Sequence, residues 1–350
     1  MKKMRKATKQ NMITYLLVIV LFALMQGLSS AGLLTNQIEG LLIPLCVYII
    51  AAISLNLVVG ISGELSLGHA GFMCLGAFFS AIFSKIVADS MPAGLRFFLA
   101  LLIGAAVAGV FGILIGIPVL RLNGDYLAIV TLAFGEIIKN IMNVFYVGKD
   151  SSGIHVAMQD ATAMHLDSDG ETILKGAQGI SGTPKNSTFL IGFILILVTL
   201  FIVQNIIDSR TGRAIMSIRD NRIAAESIGI DVTKYKMLAF SVSAALAGMA
   251  GALYSHNLAS LTVKKFDYNT SILILVFVVL GGIGNIRGSI IATILLYLLP
   301  ELLRFLQDYR MLIYAIVLIL MMLFNWAPAA IAWRERFVEK FKKNKSKGVA

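Results

Sequence analysis

Charge is what this 350-residue sequence has little of. Asp, Glu, Lys and Arg make up 14% of it, against about 25% in a soluble protein. With 58% hydrophobic residues and a mean hydropathy of +0.84, that scarcity excludes a water-soluble globule and points to a polytopic membrane protein. Cysteine is nearly absent. Cys46 and Cys74 both lie in apolar runs, which excludes a disulfide framework and reads as packing. Of four histidines, His69 has no second ligand at metal-binding spacing, so no metal site is expected. No Gly-x-x-x-x-Gly-Lys-[Ser/Thr] occurs, and the Gly148-Lys149 pair lacks the preceding glycine. The phosphate cradle of that motif is therefore missing, and any ATP use must fall to a partner. There are no paired acids and no nucleophile with a base in reach, which argues against an enzyme.

Such charge as there is sits unevenly. Thirty basic residues outnumber nineteen acidic ones, for a formal +11. Lys2, Lys3, Arg5, Lys6 and Lys9 crowd the N-terminus. Arg334, Arg336, Lys340, Lys342, Lys343, Lys345 and Lys347 outnumber Glu335 and Glu339 near the C-terminus. Tails of this kind set topology and can touch anionic lipid; a nucleic-acid partner is not indicated. The basic start before Ile13–Leu28 imitates a signal peptide. The run is long and lacks a small-x-small cleavage site, so it reads as a retained first span.

At about 20 apolar residues per span, ten helices fall near 12–32, 40–60, 67–87, 97–120, 126–147, 188–207, 237–257, 270–286, 288–306 and 310–327. The expected fold is an all-α transmembrane bundle of about ten spans over 12–327, between tails at 1–11 and 328–350. Two basic, cytoplasmic tails require an even number of spans. The loop at 148–187 is then external; it carries Asp150, Asp160, Asp167, Asp169 and Glu171, with His155 and His165. Spans two to five and seven to ten run in opposite senses, as in an inverted repeat.

The chain is organised around the polar island 208–236, which falls on the cytoplasmic side. Arg210, Arg213, Arg219, Arg222, Lys234 and Lys236 face Asp208, Asp220, Glu226 and Asp231. Gly212 is expected to break the preceding span. Asp220 or Asn221 can cap a short helix from about Arg222 to Ile228, which Gly229 stops. Ala224 and Ala225 would give that helix a bare face for close approach by another protein.

Arg213-Ala-Ile215 through Ala224-Ala-Glu-Ser-Ile-Gly-Ile230 resembles the cytoplasmic coupling loop of ABC importer permeases, and more narrowly the branched-chain amino acid permease family of the LivM type. Other stretches carry the same resemblance. Asn56-Leu…Gly60…Leu-Ser66-Leu-Gly68-His69-Ala resembles the family's glycine-rich motif. Tyr126-Leu-Ala-Ile-Val-Thr131-Leu-Ala, in the fifth expected span, resembles the family's run of tyrosine or phenylalanine, Ala-Ile-Val-Thr-Leu-Ala. Ala247-Gly-Met-Ala-Gly-Ala-Leu-Tyr254 and Val279-Leu-Gly-Gly-Ile-Gly284 resemble two later motifs. The external loop departs from the compact form seen in relatives by an acidic insert.

A broken helix in the Asn56–Phe72 stretch would leave N–H groups free for a carboxylate; plain helix packing by small residues explains the same pattern. Glu136, with Lys139 three residues on, either lines a route or locks helices together. The resemblance implies a permease subunit of an ATP-driven importer for branched-chain or related amino acids, working by alternating access in a bacterial plasma (inner) membrane. It implies two ATPase subunits, a second related permease, and an extracytoplasmic substrate-binding protein. No cofactor is bound by this chain; the partners use ATP. Arg213, Arg219, Asp220, Ala224, Ala225, Glu226 and Gly229 are the candidate coupling residues. Asn56, Ser66, His69, Thr131 and Glu136 are candidates for the substrate pathway. An ion-coupled secondary transporter is the alternative, with Glu136 as its titratable acid.

Overall fold

In lipid, a backbone must satisfy its own N–H and C=O groups, so long apolar runs become helices. The computed structural model describes residues 6–326 apart from 33–34, 89, 123, 152, 159, 161, 165, 167–169 and 305–308. The basic side chains of both tails, His165, Asp167, Asp169, Asp308, Trp333 and the Trp326 side chain lie outside the described residues. The helices are α1 (Lys6–Ser30), α2 (Asn36–Asn56), α3 (His69–Ile86), α4 (Ala93–Val119), α5 (Asp125–Val144), α6 (Phe189–Asp208), α7 (Arg210–Asp220), α8 (Arg222–Ser227), α9 (Val232–Ser255), α10 (Tyr268–Gly281), α11 (Ile286–Leu302) and α12 (Arg310–Trp326).

Among the described residues, seven helices are long and apolar enough to cross a membrane: α1 to α6 and α9. The other three expected spans are shorter. α10 has 14 residues, or about 21 Å at the α-helical rise. α11 and α12 have 17 each, against a hydrocarbon core of about 30 Å.

α9 lies at the centre, against α2, α3 and α4. Contact is close because side chains are missing where the helices cross. A Cβ on Gly76 would lie 2.1 Å from the Gly248 carbonyl oxygen, and one on Gly248 would lie 2.5 Å from that of Gly104. Backbones of three helices thus meet directly, a packing mode suited to lipid, where the hydrophobic effect cannot drive helices together. Phe72, Phe78, Phe266 and Phe277 fill the remaining core. Cys46 and Cys74 are buried and free.

The bundle is not purely helical, which corrects the all-α expectation from sequence. Residues 145–181 and 260–261 form a five-stranded sheet of order β2-β1-β3-β4-β5, with β1 (Phe145–Lys149), β2 (Ile154–Met158), β3 (Glu171–Lys175), β4 (Ile180–Ser181) and β5 (Ser260–Leu261). All four pairings are antiparallel. β1 leaves α5 directly, because Phe145-Tyr-Val is a β-forming run. Val147, Ile173, Leu174, Ile180 and Leu261 turn inward and cover the end of the bundle.

Candidate functional site: a basic loop bonded to a broken helix

The polar island forms two short helices at the bundle end opposite the sheet. The first break falls at Ser209, not at Gly212. Ser209 is extended and its Oγ accepts from the Gly212 amide at 3.1 Å, a side-chain cap. Gly212 lies inside α7, where a Cβ would meet the Ile206 carbonyl oxygen at 2.2 Å. Asn221 caps α8, its Oδ1 accepting from the Ala224 amide at 3.0 Å. Gly229, at φ +84°, ends the helix. Its N–H donates to the Glu226 carbonyl, and the Ile230 N–H to that of Ala225, at 3.0 and 3.1 Å. This is the Schellman arrangement.

The bare alanine face is corrected by the structure. Ala225 is buried against Ile218 and Val232, while Ala224 is exposed. The groups that α8 and its end present outward are Ile223 and Ile228, 80% and 75% exposed. Charges brace this short helix: Arg222 Nε pairs with Glu226 at 2.9 Å. Arg213 Nη1 donates to the Asp208 carbonyl at 3.1 Å.

Arg219 joins the loop to the membrane part. Its Nη2 holds Asp220 at 3.0 Å, while Nη1 donates to the Gly60 carbonyl at 2.9 Å. Gly60 lies in a π-helical turn, Leu57–Ser62, that continues α2. Gly63, at φ +75°, ends the turn, and the chain runs without regular structure to Gly68 before α3 begins. Such π-turns release backbone groups from regular pairing.

Side chains from five helices hold this broken stretch. From α5, Thr131 Oγ1 accepts the Leu67 amide at 3.0 Å while donating to the Ala128 carbonyl. From α10, Ser271 Oγ accepts the Ala70 amide at 3.0 Å. From α11, Ser289 Oγ accepts from Asn56 Nδ2 at 2.8 Å, and beside it Asn56 Oδ1 takes the Gly284 amide at 2.9 Å. From α9, Lys236 pairs with Glu64, both side chains nearly buried. α7 supplies Arg219. His69 Nε2 meets Ser54 Oγ at 2.7 Å, and Ser243 Oγ donates to the Ser54 carbonyl at 2.6 Å.

Asn56, His69 and Thr131 are therefore brought together, with polar atoms engaged inside the protein. The Ala70 donor at the start of α3, offered by the sequence as a carboxylate site, is taken by Ser271. Ser66 Oγ, like Ser62 Oγ, is buried without a partner.

Residues 37–322 match the family described as branched-chain amino acid transport system / permease component. The chain belongs to this family. The high-affinity branched-chain amino acid transport system permease protein LivM of Salmonella typhimurium is 34% identical over 86% of the chain and 71% of its own length. Its counterpart in Escherichia coli is 33% identical over the same shares. The fructose import permease protein FruG of Bifidobacterium longum is 27% identical over 84% of each chain. No solved structure matches. The permease is thus a membrane transport component and not an enzyme.

Glu136 of the permease stands apart from the broken helix. It pairs with Lys139 and accepts the Tyr268 amide at 3.1 Å, placing a carboxylate at the N-terminus of α10, where the helix dipole favours it. Asp267 caps the same helix end through the Thr270 amide at 3.0 Å. Sequence reasoning missed Glu64 and the serines at 243, 271 and 289. A lone acid in an apolar stretch was the available signal for Glu64. The serines look like ordinary small residues until their partners are seen.

Proposed function

We propose that the chain is one transmembrane subunit of an ATP-driven importer for branched-chain or related amino acids. Its proposed partners are a second, related permease, two ATPase subunits and an extracytoplasmic binding protein. The ATPases turn over ATP; this chain binds no cofactor. The family match supports the class. The bond from Arg219 to Gly60 carries the mechanism, because it ties the loop to the break in α2 without an intermediary.

The three shorter helices complete ten spans in this reading, with α2–α5 and α9–α12 as oppositely directed repeats. The basic α7–α8 end faces the cytoplasm with both termini, and the sheet faces outward. Ile223 and Ile228 are the apolar knob that an ATPase groove grips, framed by Arg213, Asp220, Ala224 and Glu226. Gly229 fixes its shape, and Ala225 anchors it. Closure of the ATPases pushes the knob, Arg219 drags the Gly60 turn, and the route opens to the other side. Ser66 and the Glu136–Lys139 pair border that route; Asn56, His69 and Thr131 position it. Ion coupling loses its support, since Glu136 is held by Lys139 and the Tyr268 amide. The test is uptake of labelled leucine into proteoliposomes holding the whole complex, with ion gradients collapsed. Uptake that needs ATP supports the reading; uptake that vanishes with the gradients overturns it.

A further inference from the structure

Below the sheet lies a second concentration of polar groups. A pocket of about 370 Å³ opens there, lined by Ser84, Arg96, Lys149, Asp150, Glu171 and Ile173 among others. Arg96 is 9% exposed and Ser84 fully buried. Arg96 Nη1 donates to the Ala88 carbonyl at 2.9 Å, but its Nε is buried without a partner, as is Ser84 Oγ. Among the described residues no carboxylate pairs with this guanidinium. Lys85 pairs with Glu171 at 3.0 Å, and Asp150 with His155 at 3.0 Å.

The deficit continues inward. Thr183 Oγ1, Asn186 Nδ2, Ser187 Oγ and His256 Nε2 are also buried without partners. The 182–188 segment links them: Gly182 N–H donates to the Ala259 carbonyl and Ser187 N–H to that of His256. Buried polar groups are normally satisfied, and each exception needs an explanation. A buried cation with no counter-charge is costlier still.

We propose that this pocket binds a small zwitterionic solute of the α-amino acid type. Its carboxylate takes the unpartnered Arg96 Nε and Ser84 Oγ. Its ammonium faces Asp150 and Glu171, and its side chain lies toward Ile173 and Pro184. A guanidinium edge suits a planar carboxylate. The lining carries both signs, Lys85, Arg96 and Lys149 with Asp150 and Glu171, so a solute bearing both charges matches it better than a plain anion or a plain amine. With the sheet outward, this is a cargo site on the outer face, remote from the Asn56 network. It rests on the transport reading for that placement alone.

The test is equilibrium binding of labelled leucine to the purified permease in nanodiscs, without ATPase or binding protein. Isovalerate, isopentylamine and inorganic phosphate serve as competitors. The inference expects saturable binding that Arg96→Gln weakens at least tenfold, Arg96→Lys less, and the three competitors fail to displace. Hydrogen exchange should slow on leucine binding in residues 84–88 and 182–187. An Arg96→Gln protein that is folded by its melting curve yet binds as wild type overturns it. So does displacement by phosphate, or the absence of saturable binding while the complex still transports leucine. Binding at this pocket in a complex that fails to transport would instead overturn the transport reading and leave the pocket standing.

Discussion

Arg219 and Gly60 are 159 positions apart in the chain, yet a guanidinium nitrogen of one lies 2.9 Å from the carbonyl oxygen of the other. Space is tight as well. A Cβ on Gly63, the residue that ends the π-turn, would lie 2.6 Å from Arg219 Cγ. A rigid displacement of α7 therefore moves the π-turn or breaks this bond. Arg219→Ala is expected to leave the fold intact, since the side chain is partly exposed and a bond from a charged donor contributes only about 1.5–3 kcal/mol. A melting curve in detergent within a few degrees of wild type would bear that out.

Glu64→Gln is a harsher change. It leaves Lys236 buried at 7% exposure without its counter-charge, which costs about 3–5 kcal/mol. Replacing both partners, as Glu64→Leu with Lys236→Met, removes the stranded charge. The double variant should melt above both Glu64→Leu and Lys236→Met alone; thermal unfolding of these three beside the unaltered protein checks this, and a double variant less stable than both single ones would refute it.

Gly60→Ala tests the contact between the break and the α10–α11 turn. The added Cβ would fall 1.9 Å from Asn56 Oδ1 and 2.4 Å from the Gly284 nitrogen. Neither can move without losing its bond. Overpacking of this kind costs about 1–3 kcal/mol or more, and little folded protein is expected by size-exclusion chromatography. Gly124→Ala, where no atom lies within 4 Å, is the comparison, with the smaller strain of its φ of +62°.

The bundle was legible because lipid leaves few alternatives to helices. The α8 caps at Asn221 and Gly229 were legible for a similar reason: local rules fix them. The sheet was not expected, although Ile154-x-Val156-x-Met158 alternates with period two. In a chain where nearly every stretch is apolar, a five-residue alternation carries little contrast. Asn56, His69 and Thr131 were found by motif, but their bonding to one another's neighbours depends on residues up to 233 positions apart. Local pattern cannot show that. Ala225 was assigned outward because small size alone does not tell which way a six-residue helix faces.

Ile223→Asp with Ile228→Asp should abolish capture of the ATPase subunits in detergent, at unchanged permease stability. Both side chains are largely exposed, so the fold has little stake in them. Pull-down of the co-expressed ATPases reads the effect, and full retention would count against the knob.

Gly229→Val strains a residue held at φ +84°. A left-handed conformation costs a non-glycine residue about 1–2 kcal/mol, more than a six-residue helix can absorb. ATPase binding should weaken severalfold in the same pull-down, while the melting temperature of the membrane part stays put.

The decisive measurement is the number of ATP molecules hydrolysed per solute imported by the reconstituted complex carrying Arg219→Ala. If the loop drives the broken helix through this side chain, hydrolysis continues, uptake falls at least tenfold, and the ratio rises accordingly. A ratio equal to that of the unaltered complex would contradict the account.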